Sequence, residues 1–168
     1  SGRTPWVHAA LEHARERGAA TVFLACVPFS TAADRADVSI RVVTGPEVLA
    51  GSTRLKAATA TKLVLNRVTT LAFARLGKVH ENLMIDLDTR ANAKLRRRGL
   101  GILQELTGLA GGEAEALLDR AGGRVKVAAL MRLRSLPPEE ARALLTANGD
   151  SLRRALEATR AAGEDSPG

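Results

Sequence analysis

From Thr53 to Leu76 the chain carries apolar side chains on most faces of a helix: Leu55, Ala58, Leu63, Val64, Leu65, Val68, Leu71, Ala72 and Phe73. A helix apolar nearly all round is either central and buried or an interface helix. Whatever this chain folds into must set that helix against something. Its approach is as distinctive as its body. Gly45, Pro46 and Glu47 form a chain reversal with one carboxylate, and Gly51-Ser52-Thr53 follows as a small, flexible entry with two hydroxyls. Ser52 or Thr53 is predicted to cap the helix by accepting a hydrogen bond from a free backbone N–H. Gly77 stops it. Arg54 and Lys56 fall in the first turn, where positive charge opposes the helix dipole. Hydroxyls, free N–H groups and two cations are together what a phosphate would take. A capped helix with solvated basic residues accounts for the same spacing.

The preceding residues alternate helix and strand. Ser1 to Pro5 reads as a loop entering a helix, with Thr4 as cap and Pro5 in the first helical position. That helix is predicted from Trp6 to Arg17, closed by Gly18. Ala19 to Val27 is a continuous apolar run bounded by Gly and Pro, the pattern of a buried parallel strand. Pro28 to Asp37 is a polar connection or short helix, and Val38 to Val43 alternates like a strand with one wetter face. The order is that of an α/β fold with a parallel sheet. Two strands are too few for a stable doubly wound sheet, which predicts that part of the domain lies outside this chain. The first residue, Ser rather than Met, points the same way.

Beyond the long helix, Lys78 to Leu87 is predicted to be extended or looped, and Asp88-Thr89 to cap a basic helix from Arg90 to Thr107 ended by Gly108. An internal echo follows. Glu113-Ala114-Glu115-Ala116-Leu117-Leu118 recurs as Glu140-Ala141-Arg142-Ala143-Leu144-Leu145. Gly122 then matches Gly149, Val125 matches Leu152, and Ala128 matches Ala155. Each unit reads as helix, Gly turn, helix, with Pro137-Pro138 opening the second. Two such hairpins can bury their Ala/Leu stripes against each other as a small all-helical subdomain. The boundaries drawn from this are 1–88, 89–160 and a frayed polar tail, 161–168.

Composition narrows the functional classes. With 168 residues and 45% hydrophobic content the chain can bury a core, and with 2% aromatics that core is built from Ala, Leu and Val. The formal charge of +7 invites an anionic partner. There is no Tyr, however, no aromatic residues interleave with the bases, and no zinc or RNA-binding signature appears, so no nucleic-acid partner is expected. The densest basic run, Lys94 to Arg98, reads as a solvated helix face. Cys26 is the only cysteine and reads as a buried small hydrophobe. His8 and His13 fall on different faces of the first helix and cannot share a metal, and His80 stands alone, so no metal site and no cofactor are expected. No run reaches membrane-spanning length, no membrane partner is expected, and a cytoplasmic location is the default.

The stretch Gly45-Pro46-Glu47-Val48-Leu49-Ala50-Gly51-Ser52-Thr53-Arg54-Leu55-Lys56 and its continuation to Asn66, then Gly77-Lys78-Val79, then Asn82-Leu83-Met84-Ile85-Asp86, resembles the signature of the N-acetylmuramic acid 6-phosphate etherase family. That family is a branch of the sugar isomerase (SIS) superfamily. The opening Ser1-Gly2-Arg3-Thr4-Pro5 matches a second motif of the same family. The resemblance implies the C-terminal part of a doubly wound parallel-sheet SIS domain, followed by a helical subdomain likened to ubiquitin-associated domains. It implies cleavage of the D-lactyl ether of N-acetylmuramic acid 6-phosphate to N-acetylglucosamine 6-phosphate and D-lactate, by elimination and rehydration without a cofactor. It implies that Ser1, Gly2 and Thr4 cradle the sugar phosphate, that Ser52 and Thr53 approach it from the far loop, that Lys56 neutralises it, and that Glu47 hydrogen-bonds a sugar hydroxyl; bracing the turn is the plainer role for Glu47. The two glutamates that move protons in the family precede the SGRTP motif. No residue of this chain therefore takes a catalytic role, and the chain alone is expected to be inactive. A homodimer is implied as well. The main alternative is a non-catalytic sugar-phosphate-binding regulator of the glucokinase regulatory protein type. The chain departs from the family pattern at Ala58 (usually Gly), Thr61 (usually Gln), Val27-Pro28-Phe29 and His80-Glu81.

Overall fold

The computed structural model describes residues 2–161, with side chains through residue 158. The chain is mixed α/β. Its elements are α1 (Pro5–Glu16), β1 (Val22–Ala25), β2 (Val38–Arg41), α2 (Lys56–Arg75), β3 (Val79–His80), β4 (Leu83–Met84), α3 (Ala93–Thr107), α4 (Gly111–Arg120), α5 (Val125–Leu133), α6 (Pro138–Ala147) and α7 (Leu152–Ala161). It divides into two compact units between Thr69 and Thr70, inside α2.

In the first unit β1 and β2 pair in parallel, from Val22 opposite Val38 to Ala25 opposite Arg41. The connection between them holds no helix. Its ends are tied by side chains. The Thr21 N–H and hydroxyl both donate to Asp37 Oδ2, at 2.7 and 2.8 Å, and the Asp37 N–H donates back to Thr21 Oγ1 at 3.2 Å. Asp34 accepts from the Ser39 hydroxyl, the Ala36 N–H and the Arg41 guanidinium. Arg41 also lies over the rings of Phe23 and Phe29, 4.9 and 5.2 Å from their centroids. Among the described residues of this unit, only Thr21, Phe23, Ala25 and Ala32 are buried.

The long apolar helix begins later than its sequence pattern predicts, and none of its 20 residues is buried. Leu63, Leu65, Val68, Leu71 and Phe73 are each about half exposed. Among the described residues nothing buries this helix, as either a core or an interface would. Its predicted caps are also corrected. Glu47, not Ser52 or Thr53, takes its first free N–H groups.

The second unit holds the main core. Leu103, Leu118, Leu130 and Leu145 are fully buried, with the buried residues of α5 between them. The segment predicted as extended or looped contains the short antiparallel pair β3–β4, with Val79 opposite Met84. The cap of α3 is Asn92, whose side chain accepts from the Leu95 N–H at 2.9 Å, not Asp88-Thr89. Thr89 is instead buried, its hydroxyl donating to the Gly123 carbonyl at 2.7 Å. The sequence echo has a physical basis. Ala114 and Ala141, Leu118 and Leu145, Val125 and Leu152, and Ala128 and Ala155 are matching pairs, each member at most 1% exposed. Gly122 and Gly149 turn the two hairpins at φ of +67° and +61°, where a side chain would be strained. Lys126, 3% exposed, crosses the unit to Asp150 Oδ2 (2.8 Å), the Asp150 carbonyl (2.9 Å) and Asp86 Oδ1 (3.1 Å). Of the tail expected to fray, 161–168, Ala161 ends α7 and the rest lies outside the described residues.

Candidate functional site

The first unit carries a groove of about 370 Å³ at the C-terminal end of β1. In open α/β sheets this is where ligands bind, outside the carboxyl ends of the strands. Its lining comes from three places: Gly2 before α1; Leu24, Ala25 and Cys26 at the end of β1; and Thr53, Ala57, Ala58, Thr61, Lys62 and Leu65 leading into and along α2. On α2 the positions 58, 61, 62 and 65 share one helical face by their spacing.

Gly2 is fixed there by close packing. It adopts φ +74°, and a Cβ on it would lie 3.0 Å from the Ala32 Cβ and 3.3 Å from the Ala25 Cβ. The chain thus runs against the strand end, and a side chain at position 2 would push the two apart. Thr4 occupies the N-cap position of α1, but its side chain makes no capping hydrogen bond. Its carbonyl accepts from the Val7 N–H at 3.0 Å. Arg3 is exposed. Its guanidinium donates twice to the Thr31 carbonyl, at 3.0 and 2.9 Å, and braces the β1–β2 connection. Ser1 lies outside the described residues.

Glu47 is the best-held of the predicted site residues. Its Oε2 accepts from the Lys56 N–H at 2.9 Å and its Oε1 from the Ala57 N–H at 3.0 Å. The N–H of Ala57 and then that of Lys56 hold its carboxyl below the usual range, against an opposing push from burial, and the Lys56 charge adds to the lowering. The carboxylate therefore takes the place at the N-terminus of α2 that an anionic ligand would want. Ser52 accepts at its hydroxyl from Arg54 Nε, 3.2 Å away. The Lys56 ammonium sits beside Gly45, 4.0 Å from where a Cβ there would stand, and does not line the groove.

Of the residues the sequence marks for substrate, Gly2 and Thr53 come together in the groove. Thr4, Glu47, Ser52 and Lys56 do not line it. Cys26 is partly, not fully, buried: it lines the groove, its Sγ 3.5 Å from the Ala57 carbonyl and 3.6 Å from Thr61 Oγ1. Thr61 and Lys62 belong to the groove although neither was marked for substrate. The strand ending at Ala25 and the helical spacing of 58, 61, 62 and 65 were the signals that could have found them. No cluster of His, Cys, Asp and Glu that could hold a metal occurs among the described residues. No described helix is long and apolar enough to cross a membrane.

No protein-family model matches the chain. It is 52% identical over 157 residues to the N-acetylmuramic acid 6-phosphate etherase of Synechocystis sp., a match covering 94% of this chain and 51% of that protein. It is 52% identical over 156 residues to the protein of the same name from Rubrobacter xylanophilus, covering 93% and 51%. The Nostoc punctiforme protein of that name is 49% identical over 155 residues, covering 92% and 50%. The chain spans about half the length of the curated relatives it matches.

Proposed function

We propose, from the premise that this chain belongs to the N-acetylmuramic acid 6-phosphate etherase family over the stretch it matches, that it is the phosphosugar-binding C-terminal part of such an etherase. The whole protein cleaves the D-lactyl ether of N-acetylmuramic acid 6-phosphate as a cytoplasmic enzyme of amino sugar and peptidoglycan recycling. The observation that carries this reading is the identity of about half over more than nine-tenths of the chain.

The chemistry is an elimination followed by hydration. With the sugar ring open, a base takes the proton beside the C1 carbonyl, and the electron pair expels lactate from C3. The leaving oxygen takes a proton, and water then adds across the new double bond to give N-acetylglucosamine 6-phosphate. Carboxylates of raised pKa suit both proton transfers. Glu47 is an unsuitable candidate for either, because its carboxyl is held low and both oxygens accept backbone N–H groups. The proton-transfer roles are assigned to glutamates outside this chain.

The parts this chain supplies are positional. The parallel strands and α2 form one side of a doubly wound SIS domain, taken as residues 1–88, and α3 to α7 form the helical subdomain, residues 89–160. The Ser1-Gly2-Arg3-Thr4 motif before α1 holds the 6-phosphate, with Gly2 on the groove wall and Thr53 facing the phosphate across it. Glu47 keeps the Ser52–Thr53 loop in place. The protein works as a homodimer, and no cofactor takes part. A titration of the full chain with N-acetylglucosamine 6-phosphate tests the binding role: a saturable rise in Tm is expected, and no rise up to millimolar ligand would contradict it.

A further inference from the structure

Among the described residues, Lys62 is the only charged one lining the groove. Among the described residues its ammonium has no hydrogen bond or ion pair. Arg3 is held by the Thr31 carbonyl, Arg54 by Ser52, and Lys56 stands on the Gly45 side, away from the groove. Around Lys62 the walls are Leu24, Ala25, Ala57, Ala58 and Leu65, with the Thr53 and Thr61 hydroxyls and the Cys26 thiol as the polar points. A single free cation among apolar walls and hydroxyls suits one monoanionic group on an otherwise uncharged ligand surface. A compact ammonium with three rotatable donors binds as a point charge, without the fork geometry that a guanidinium brings.

N-acetylmuramic acid 6-phosphate carries two anions, the phosphate and the carboxylate of its lactyl group. A phosphate dianion is best served by several N–H and hydroxyl donors at a helix start. The groove face of α2 offers a different environment, with its own terminal N–H groups already closed by Glu47. We infer that Lys62 reads the lactyl carboxylate and so sets the preference for the lactyl-bearing sugar over N-acetylglucosamine 6-phosphate. This inference rests on the phosphosugar-binding reading above and deepens it. Lys62 is a specificity residue in this scheme. It has no part in proton transfer, and Thr61 stands one position before it as a hydroxyl neighbour of the same carboxylate.

The test is calorimetric titration of the full 168-residue chain and of its Lys62→Met and Lys62→Arg variants with both sugars. Position 62 is exposed on a helix, so both variants keep the fold. The wild-type chain is expected to bind N-acetylmuramic acid 6-phosphate more tightly. Lys62→Met is expected to lose about tenfold for that sugar, the scale of one hydrogen bond to a charged group, with little change for N-acetylglucosamine 6-phosphate. Lys62→Arg is expected to recover most of the loss. An equal loss for both sugars, or no loss for either, overturns the inference and leaves the phosphosugar reading standing. Failure of the wild-type chain to bind either sugar overturns both.

Discussion

Glu47 and Lys126 show how single side chains fix backbone at a distance. Glu47 reaches across the Gly51-Ser52-Thr53 loop and closes it against the start of α2 with two hydrogen bonds. Its folded-state pKa lies below its unfolded one. The stabilisation is therefore present above the unfolded carboxylate value of about 4.3, and it is lost as pH falls through the lower folded value. Glu47→Gln keeps one acceptor but removes the charge. Urea midpoints measured from about pH 6 down to pH 2.5 are expected to fall less steeply below pH 4 in the variant than in the wild type. Parallel curves would show that Glu47 does not hold the loop in solution. Lys126 is a different case, because its side chain is 4% exposed and bridges Asp86 to Asp150. Lys126→Ala is expected to cost about 2 kcal/mol by chemical denaturation. That is below the full penalty for breaking a buried pair, because both carboxylates keep some access to water.

At the scale of elements, what could be read from the sequence depended on whether the signal was local. The helical hairpins were legible because the Ala/Leu spacing is itself the burial pattern: the repeated positions 114 and 141, and 118 and 145, are all fully buried. Leu118→Ala and Leu145→Ala are each expected to cost about 2–5 kcal/mol as cavity-forming changes. Matching losses of Tm would support equivalent roles, and a loss at one position alone would mean that only one hairpin carries the core. The caps were less legible. Ser52 and Thr53 have the right chemistry for α2, yet the carboxylate that closes it comes from Glu47, nearly a whole loop earlier. Thr89 looks like a cap by type but is drawn into the core by the Gly123 carbonyl, leaving Asn92 to cap α3. The groove was half legible. Gly2 and Thr53 were marked by motif, whereas Cys26, Thr61 and Lys62 enter it only through the meeting of a strand end with a helix face.

For the whole chain, the apolar pattern of α2 encodes more burial than these residues provide. Its leucines and Phe73 stay about half exposed, and two short parallel strands carry few buried residues. Parallel strands are ordinarily covered on both faces. The curated relatives are about twice as long as this chain, and two positions that depart from the family pattern, Ala58 and Thr61, line the groove. Whether the protein turns over an ether or only binds a phosphosugar is therefore the question on which the account rests. The direct measurement is D-lactate release by the product of the native gene, supplied with N-acetylmuramic acid 6-phosphate. The expected result is D-lactate and N-acetylglucosamine 6-phosphate in equal amounts, without added metal or cofactor. Saturable binding of the sugar with no lactate released would contradict the etherase and leave a sugar-phosphate-binding regulator in its place.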